Sequence, residues 1–131
     1  MQYQDLHEAA VVIRRSQKVL LRRCLTGERW EGLWDFPRCE ISSQKDHLLR
    51  KEIEQKVRKL TGVTIHIGDS LATIKHGVTR FRITLECYEA DVLASSRSQA
   101  SSEQKWIPVS TLEDYPLSVT GRKIARLIAE S

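Results

Sequence analysis

Residues 30–63 constrain the fold more than any other stretch. They open with Trp30-Glu31-Gly32-Leu33-Trp34-Asp35-Phe36-Pro37, an aromatic cluster broken by glycine and closed by proline. They end with Lys59-Leu60-Thr61-Gly62-Val63. Between these lies a charged segment in which Leu49, Ile53, Val57 and Leu60 recur at helical spacing. This predicts a helix that starts at Ser43 or Asp46 and runs to Leu60. Gly62 then suits the left-handed position after a helix, and Arg58 and Lys59 suit the negative end of its dipole. A helix with one apolar stripe must lie against another layer, and the rest of the chain reads as the strands of that layer.

Residues 8–15 and 18–24 are two strands joined at Ser16-Gln17. Their consecutive apolar residues predict burial on both faces. Residues 25–33 are a loop, and Trp34-Asp35-Phe36 is a short strand limited by Pro37, which offers no ladder donor. Residues 63–67 alternate as a strand, Gly68-Asp69 interrupts it, and residues 71–76 continue extended. A tight connection at Gly77-Val78-Thr79 leads into a strand with Phe81, Ile83, Leu85 and Cys87 on one face. Arg80, Arg82, Thr84, Glu86 and Tyr88 lie on the other. The polar stretch 94–103 is a loop, and 105–109 is a last strand. Ser110 and Glu113 have capping-box spacing, and Pro116 ends that turn. A final helix places Ile124, Leu127 and Ile128 inward. The order β-β-β-α-β-β-β-α gives an α+β class, with helices packed on a mixed sheet.

At 131 residues the chain is expected to form one domain, residues 1–131. No apolar run approaches the ~20 residues of a membrane span, and the first ten residues lack signal-peptide character. No membrane association is expected, and a reducing, cytoplasmic setting follows. Cys24, Cys39 and Cys87 form no CxxC pair, and their odd number argues for free thiols over a disulfide framework. Net charge is +4, which permits a polyanionic partner without demanding one. Arg14, Arg15, Arg22, Arg23, Arg29 and Arg82 read either as a phosphate-tracking patch or as a solvated face. Trp34 reads as core, and Trp30 is divided between packing and the lining of a cleft. His7, His47 and His66 read as surface residues.

Over essentially its whole length the chain resembles the Nudix superfold, whose box is G-x5-E-x7-R-E-U-x-E-E-x-G-U (U, bulky apolar). Setting Gly62-Val63 on the final G-U places Ile41 on the first glycine and His47 on the first glutamate. Gln55 and Lys56 then fall on Arg-Glu, and Lys59 and Leu60 on the Glu-Glu pair. Mg²⁺ requires oxygen ligands, and lysines on this helix face remove ligands and add repulsion. The expectation is therefore no metal, no other cofactor and no catalytic residues.

A narrower resemblance is to the C-terminal domain of A/G-specific adenine DNA glycosylases of the MutY kind. Trp30 to Pro37, followed by Glu40, looks like that family's W-x-G-L-W-x-F-P-x-x-E signature. Lys75-His76-Gly77-Val78-Thr79-Arg80-Phe81 stands where the family has an H-x-F-[S/T]-H loop, and Trp106 with residues 116–128 is similar to its closing strand and helix. The resemblance implies a domain that lies on double-stranded DNA during base-excision repair and checks for 8-oxoguanine opposite adenine, without breaking bonds itself. His76, Val78, Thr79 and Arg80 would recognise the base pair. Arg29, Lys75 and Arg82 would contact phosphates, and Trp30 would line a cleft. Val78 is a smaller wedge than the family's Phe, Thr79 keeps the hydroxyl, and Arg80 carries a full charge where His would be mostly neutral. A glycosylase catalytic domain would be a partner in the same natural chain. The initial Met and the lack of a Lys/Pro-rich linker favour a stand-alone relative.

Two other readings remain: a divergent Nudix hydrolase of oxidised nucleoside triphosphates, and a protein-interaction module that kept only the fold.

Overall fold

The computed structural model describes residues 2–95 and 103–129. Its elements are β1 (Gln4–Arg15), β2 (Lys18–Arg23), β3 (Trp34–Asp35), β4 (Arg38–Glu40), α1 (Asp46–Thr61), β5 (Val63–Val78), β6 (Phe81–Ser95) and β7 (Gln104–Pro108). A 3-10 helix (Val109–Asp114) and α2 (Val119–Ala129) complete them. The strands form one mixed sheet in the order β3-β2-β1-β6-β5, with β4 also on β1 and β7 also on β2. β1 and β6 run parallel from Gln4↔Phe81 to Arg14↔Asp91. The remaining strand pairs are antiparallel.

β1 is the central strand, and residues 8–13 are buried without interruption. Ala9, Val11 and Ile13 join Leu20, Ile53, Val57, Ile65 and Ile67 in a core beneath α1. Ala10 and Val12 point the other way, into a core with Phe36, Ile83, Leu85, Cys87, Leu112 and Ile124 beneath α2. Period-two alternation in a strand covered on both faces yields this continuous apolar run. The helices therefore flank the sheet, as the α+β reading expects. Gly62 caps α1 at φ 77°, donating to the Arg58 carbonyl at 2.8 Å. The expected interruption at Gly68-Asp69 is a register shift between Ile67 and Ser70.

Several sequence expectations are corrected. The short strand stops at Asp35 and excludes Phe36; Pro37 limits it as expected, its carbonyl accepts Val11 N–H at 2.9 Å, and pairing resumes in β4 on Glu8–Ala10. Gly77 is not the turn. It pairs with Arg82, and the reversal occurs at Thr79-Arg80, beyond the Val78↔Phe81 pair. Ser110 caps nothing, because the 3-10 helix begins after Pro108 and has no side-chain cap. Leu127 is 40% exposed, and Gly121, Ala125 and Thr120 share the inner face with Ile124 and Ile128. Of the polar stretch 94–103, residues 96–102 lie outside the described residues, while Ala94 and Ser95 extend β6.

Buried Ser118 is the N-terminal cap of α2, its Oγ accepting Gly121 N–H at 3.0 Å. Trp34 bridges to Leu117 in the residues just before it. Gly121 is packed so closely that a Cβ there would lie 2.9 Å from both Asp35 Oδ1 and Ser118 Oγ. Asp35 Oδ1 cannot swing away without releasing Phe36 N–H, which it accepts at 2.9 Å. Gly121→Ala in an open helix would gain about 1 kcal/mol of propensity. Here the overpacking should outweigh that gain and lower stability by about 1–2 kcal/mol, read as the midpoint of urea unfolding.

Candidate nucleic-acid interface and adjoining cleft

A cleft of about 260 Å³ opens where the 24–33 loop meets β1, β3 and β4. Its charged floor is built around Arg38, whose side chain is only 11% exposed. Arg38 Nε donates to Glu8 Oε1 at 2.9 Å, and Nη1 donates to Thr120 Oγ1 at 2.8 Å and to Asp35 Oδ2 at 3.4 Å. Nη2 lies 3.0 Å from His76 Nε2. A guanidinium has no acceptor and stays protonated, so Nε2 must be the acceptor and the His76 proton sits on Nδ1. Arg29 adds a forked pair to Glu8 at 3.1 and 3.2 Å. Burial pushes the Asp35 carboxyl up, and Arg38 opposes this. Burial, then the Arg38 charge, holds His76 below the ordinary histidine value.

Trp30 forms the cleft wall beside His76, with ring centroids 6.4 Å apart. It sits at φ 67°, an uncommon conformation for a bulky side chain. Its Nε1 is buried without a hydrogen-bond partner among the described residues. Cys24 and Cys39 also line the cleft, and burial pushes both thiols up to about 11. At that value they are poor nucleophiles at neutral pH.

The β5–β6 hairpin carries the sequence-predicted recognition residues. Thr79 occupies the turn at φ 51° with its hydroxyl donating to the Val78 carbonyl at 2.7 Å. Gly77, Thr79 and Arg80 are exposed, and Val78 is half-buried. The N-terminal end of β1 braces the turn, Gln4 N–H donating to the Arg80 carbonyl at 2.8 Å. Arg80 stacks on Phe81, and Arg82 pairs with Asp5 and stacks on Tyr3.

The structure thus brings together His76, Val78, Thr79 and Arg80, with Lys75 and Arg82 on the same hairpin and Trp30 beside His76. Arg29 turns inward to Glu8, on the His76 side of the cleft, and does not join the exposed tip. Nor do the other arginines form one patch. Arg22 is buried on Glu28, Arg23 pairs with Glu103, Arg14 pairs with Glu89, and Arg15 stacks on Trp106. Arg14 lies nine residues along β1 from Asp5 and Arg82, roughly 30 Å away at strand rise. Trp34 is core, edge-on to Tyr115 at 5.8 Å, and His7, His47 and His66 are exposed. Sequence reasoning missed Arg38, Glu8, Asp35 and Thr120. A glutamate opening an apolar strand was the available signal, since a buried carboxylate requires a partner.

The helix face that would carry a divalent metal in the Nudix box does not fit one. Lys56 Nζ contacts Glu52 Oε2 at 2.8 Å and the Glu40 carbonyl at 2.6 Å, placing a fixed cation where the box has a glutamate. Among the described residues no group of three or more His, Cys, Asp or Glu could hold a metal ion.

A mixed sheet flanked by two helices, with a Gly-capped helix facing the strand-to-helix loop, defines a Nudix-type fold. The family model of the NUDIX domain matches residues 9–127, and the chain belongs to that family. No curated protein sequence matches it. Among solved structures it is similar to the E. coli ORF135 protein (TM-score 0.81, 18% identity, covering 98% of this chain and 91% of that one). It is also similar to the MutT protein from Methanosarcina mazei Go1 (0.80, 20%, 99% and 97%). The C-terminal domain of mouse MUTYH, solved with human PCNA, is a further likeness (0.70, 17%, 97% and 89%). At these identities the likenesses establish the fold. No helix among the described residues is long and apolar enough to cross a membrane.

Replacing Arg38 with Met should cost about 3 kcal/mol in chemical denaturation, because it strips a buried carboxylate of its closer partner. His76 gives a pH signature. Its folded-state pKa lies below the unfolded value near 6.5, so the folded state favours the neutral ring. This contribution is complete above pH ~6.5 and is lost as pH falls from there toward the folded value. Wild type should therefore lose more stability between pH 7 and 5 than His76→Gln, measured by thermal unfolding.

Proposed function

We propose that this Nudix domain binds double-stranded DNA and inspects it for 8-oxoguanine opposite adenine. It would act as the recognition domain of an adenine DNA glycosylase or as a stand-alone relative, without catalysis of its own. The observation that carries this reading is the tip of the β5–β6 hairpin. There a β-branched residue, Thr79, is held in a left-handed conformation at the end of a braced ribbon. Arg80 adjoins it, and Lys75 and Arg82 lie further down the same ribbon. Residues kept in sparsely populated backbone regions concentrate at binding sites, where the surrounding structure over-determines them. The tip would enter the duplex, with Val78 as the apolar wedge and the Thr79 hydroxyl turning from its own backbone to a base edge. The cations on the same ribbon would engage phosphates, and the Arg38–His76 contact would hold the base of the ribbon at a fixed height above the cleft.

The test is fluorescence anisotropy with duplexes containing 8-oxoguanine:A or G:A. The damaged duplex should bind about tenfold tighter, a gap of about 1.4 kcal/mol. Thr79→Ala and Arg80→Ala should shrink that gap. With two or three phosphates neutralised, log affinity should fall with log salt at a slope of about −2 to −3. Equal affinity for both duplexes would remove the recognition claim, and absence of binding at low salt would remove the DNA reading altogether.

The acidic and arginine-rich cleft supports a second reading, a divergent hydrolase of oxidised nucleoside triphosphates. Release of phosphate or pyrophosphate from a nucleotide panel with Mg²⁺ or Mn²⁺ would favour it over DNA recognition.

A further inference from the structure

The loop between β4 and α1 is organised by one carboxylate. Glu52 accepts Ser42 N–H at 3.1 Å on both oxygens, Ser43 N–H at 2.9 Å and Ser42 Oγ–H at 3.0 Å. One turn further along α1, the Lys56 ammonium completes the set at 2.8 Å. The same ammonium donates to the Glu40 carbonyl at 2.6 Å, at the end of β4. Strand, loop and helix therefore meet at a single positive charge.

Most exposed ion pairs contribute little, because solvent screens them and two long side chains must be ordered. This pair differs in kind. The Glu52 side chain is only 13% exposed, though that of Lys56 is 44% exposed, and backbone donors of the loop already fix the carboxylate's orientation. The order Glu then Lys at i,i+4 also agrees with the helix dipole. The hydrogen bonds from Lys56 and the loop hold the Glu52 carboxyl well below the usual carboxylate range, and Lys56 is raised by the same contact. Among the described residues the acceptors of the ammonium are two oxygens, one from a carboxylate and one from a backbone carbonyl. That donor set is the one hard divalent cations select.

We infer that Lys56 is a tethered cation standing in for a divalent ion, clamping the Glu40 carbonyl to Glu52 and fixing the course of residues 41–45. Replacing its charge by a carboxylate turns the same oxygens into a divalent-ion site. This rests on the α1 face alone and is independent of what the hairpin binds, so it stands or falls apart from the DNA reading.

The experiment uses the full chain as wild type, Lys56→Glu and Lys56→Met. Melting temperature is recorded in EDTA, Mg²⁺ and Mn²⁺, and bound Mn²⁺ is counted by electron paramagnetic resonance. Wild type should melt identically in all three and bind no stoichiometric Mn²⁺. Lys56→Glu should melt several degrees lower in EDTA, recover saturably with Mn²⁺ and bind one ion per chain. Lys56→Met should melt lower with no recovery, and the Ser42 and Ser43 amides should exchange faster. Stoichiometric Mn²⁺ on wild type would overturn the inference. So would folded Lys56→Glu that takes up no Mn²⁺, or Lys56→Met with unchanged melting and amide exchange. If Lys56→Glu does not fold in either condition, the amide exchange of Lys56→Met decides.

Discussion

The buried Arg38 guanidinium is the interaction on which this architecture depends. From β4 it reaches Glu8 on β1, Asp35 on β3, Thr120 on α2 and His76 on β5. None of these groups could be buried cheaply alone. A buried carboxylate at the start of an apolar run needs a cation, and a guanidinium needs acceptors for its fork of donors. Their mutual satisfaction ties the sheet, the second helix and the hairpin into one unit. It also settles an electrical question at the hairpin: the ring that meets Arg38 must be neutral and must present Nε2 as an acceptor.

That unit joins two strained positions. Trp30 and Thr79 both have positive φ although neither is glycine. Trp30 faces His76 across the cleft, and Thr79 lies three residues beyond His76 on the same hairpin. Strain of this kind persists only where surrounding contacts leave the chain no alternative. The packing of Trp30 against the His76 ring and the bracing of the turn by the end of β1 are those contacts. The exposed tip and the cleft are therefore linked through His76.

On the opposite face, α1 is tied to the loop before it by charge. Glu52 gathers the loop, and Lys56 provides the positive charge from within the chain. A covalently held ammonium has a fixed charge and cannot polarise a phosphate in the manner of an open metal coordination site.

Much of the fold was legible in the sequence because it follows from periodicity. The continuous apolar run of β1, the alternation of Phe81, Ile83, Leu85 and Cys87, the stripe of α1 and the Gly62 cap are all local patterns. The capping box at Ser110, the turn at Gly77 and the inward Leu127 were misread for a common reason. Each local signal was outvoted by longer-range pairing or packing: β7 running into the 3-10 helix, the Val78↔Phe81 register, and the close approach of Gly121 to Asp35. The hairpin residues are contiguous, so the sequence could propose them as a group. The charge cluster around Arg38 could not, since Glu8, Asp35, Arg38 and Thr120 are scattered over more than a hundred positions. By itself the sequence determined the helix faces, the strands and the loss of carboxylates on α1, properties carried by spacing and residue type. Only the tertiary structure decided which charges are buried together, because pairing of an Arg with a distant Glu depends on the crossing of strands and not on any local pattern.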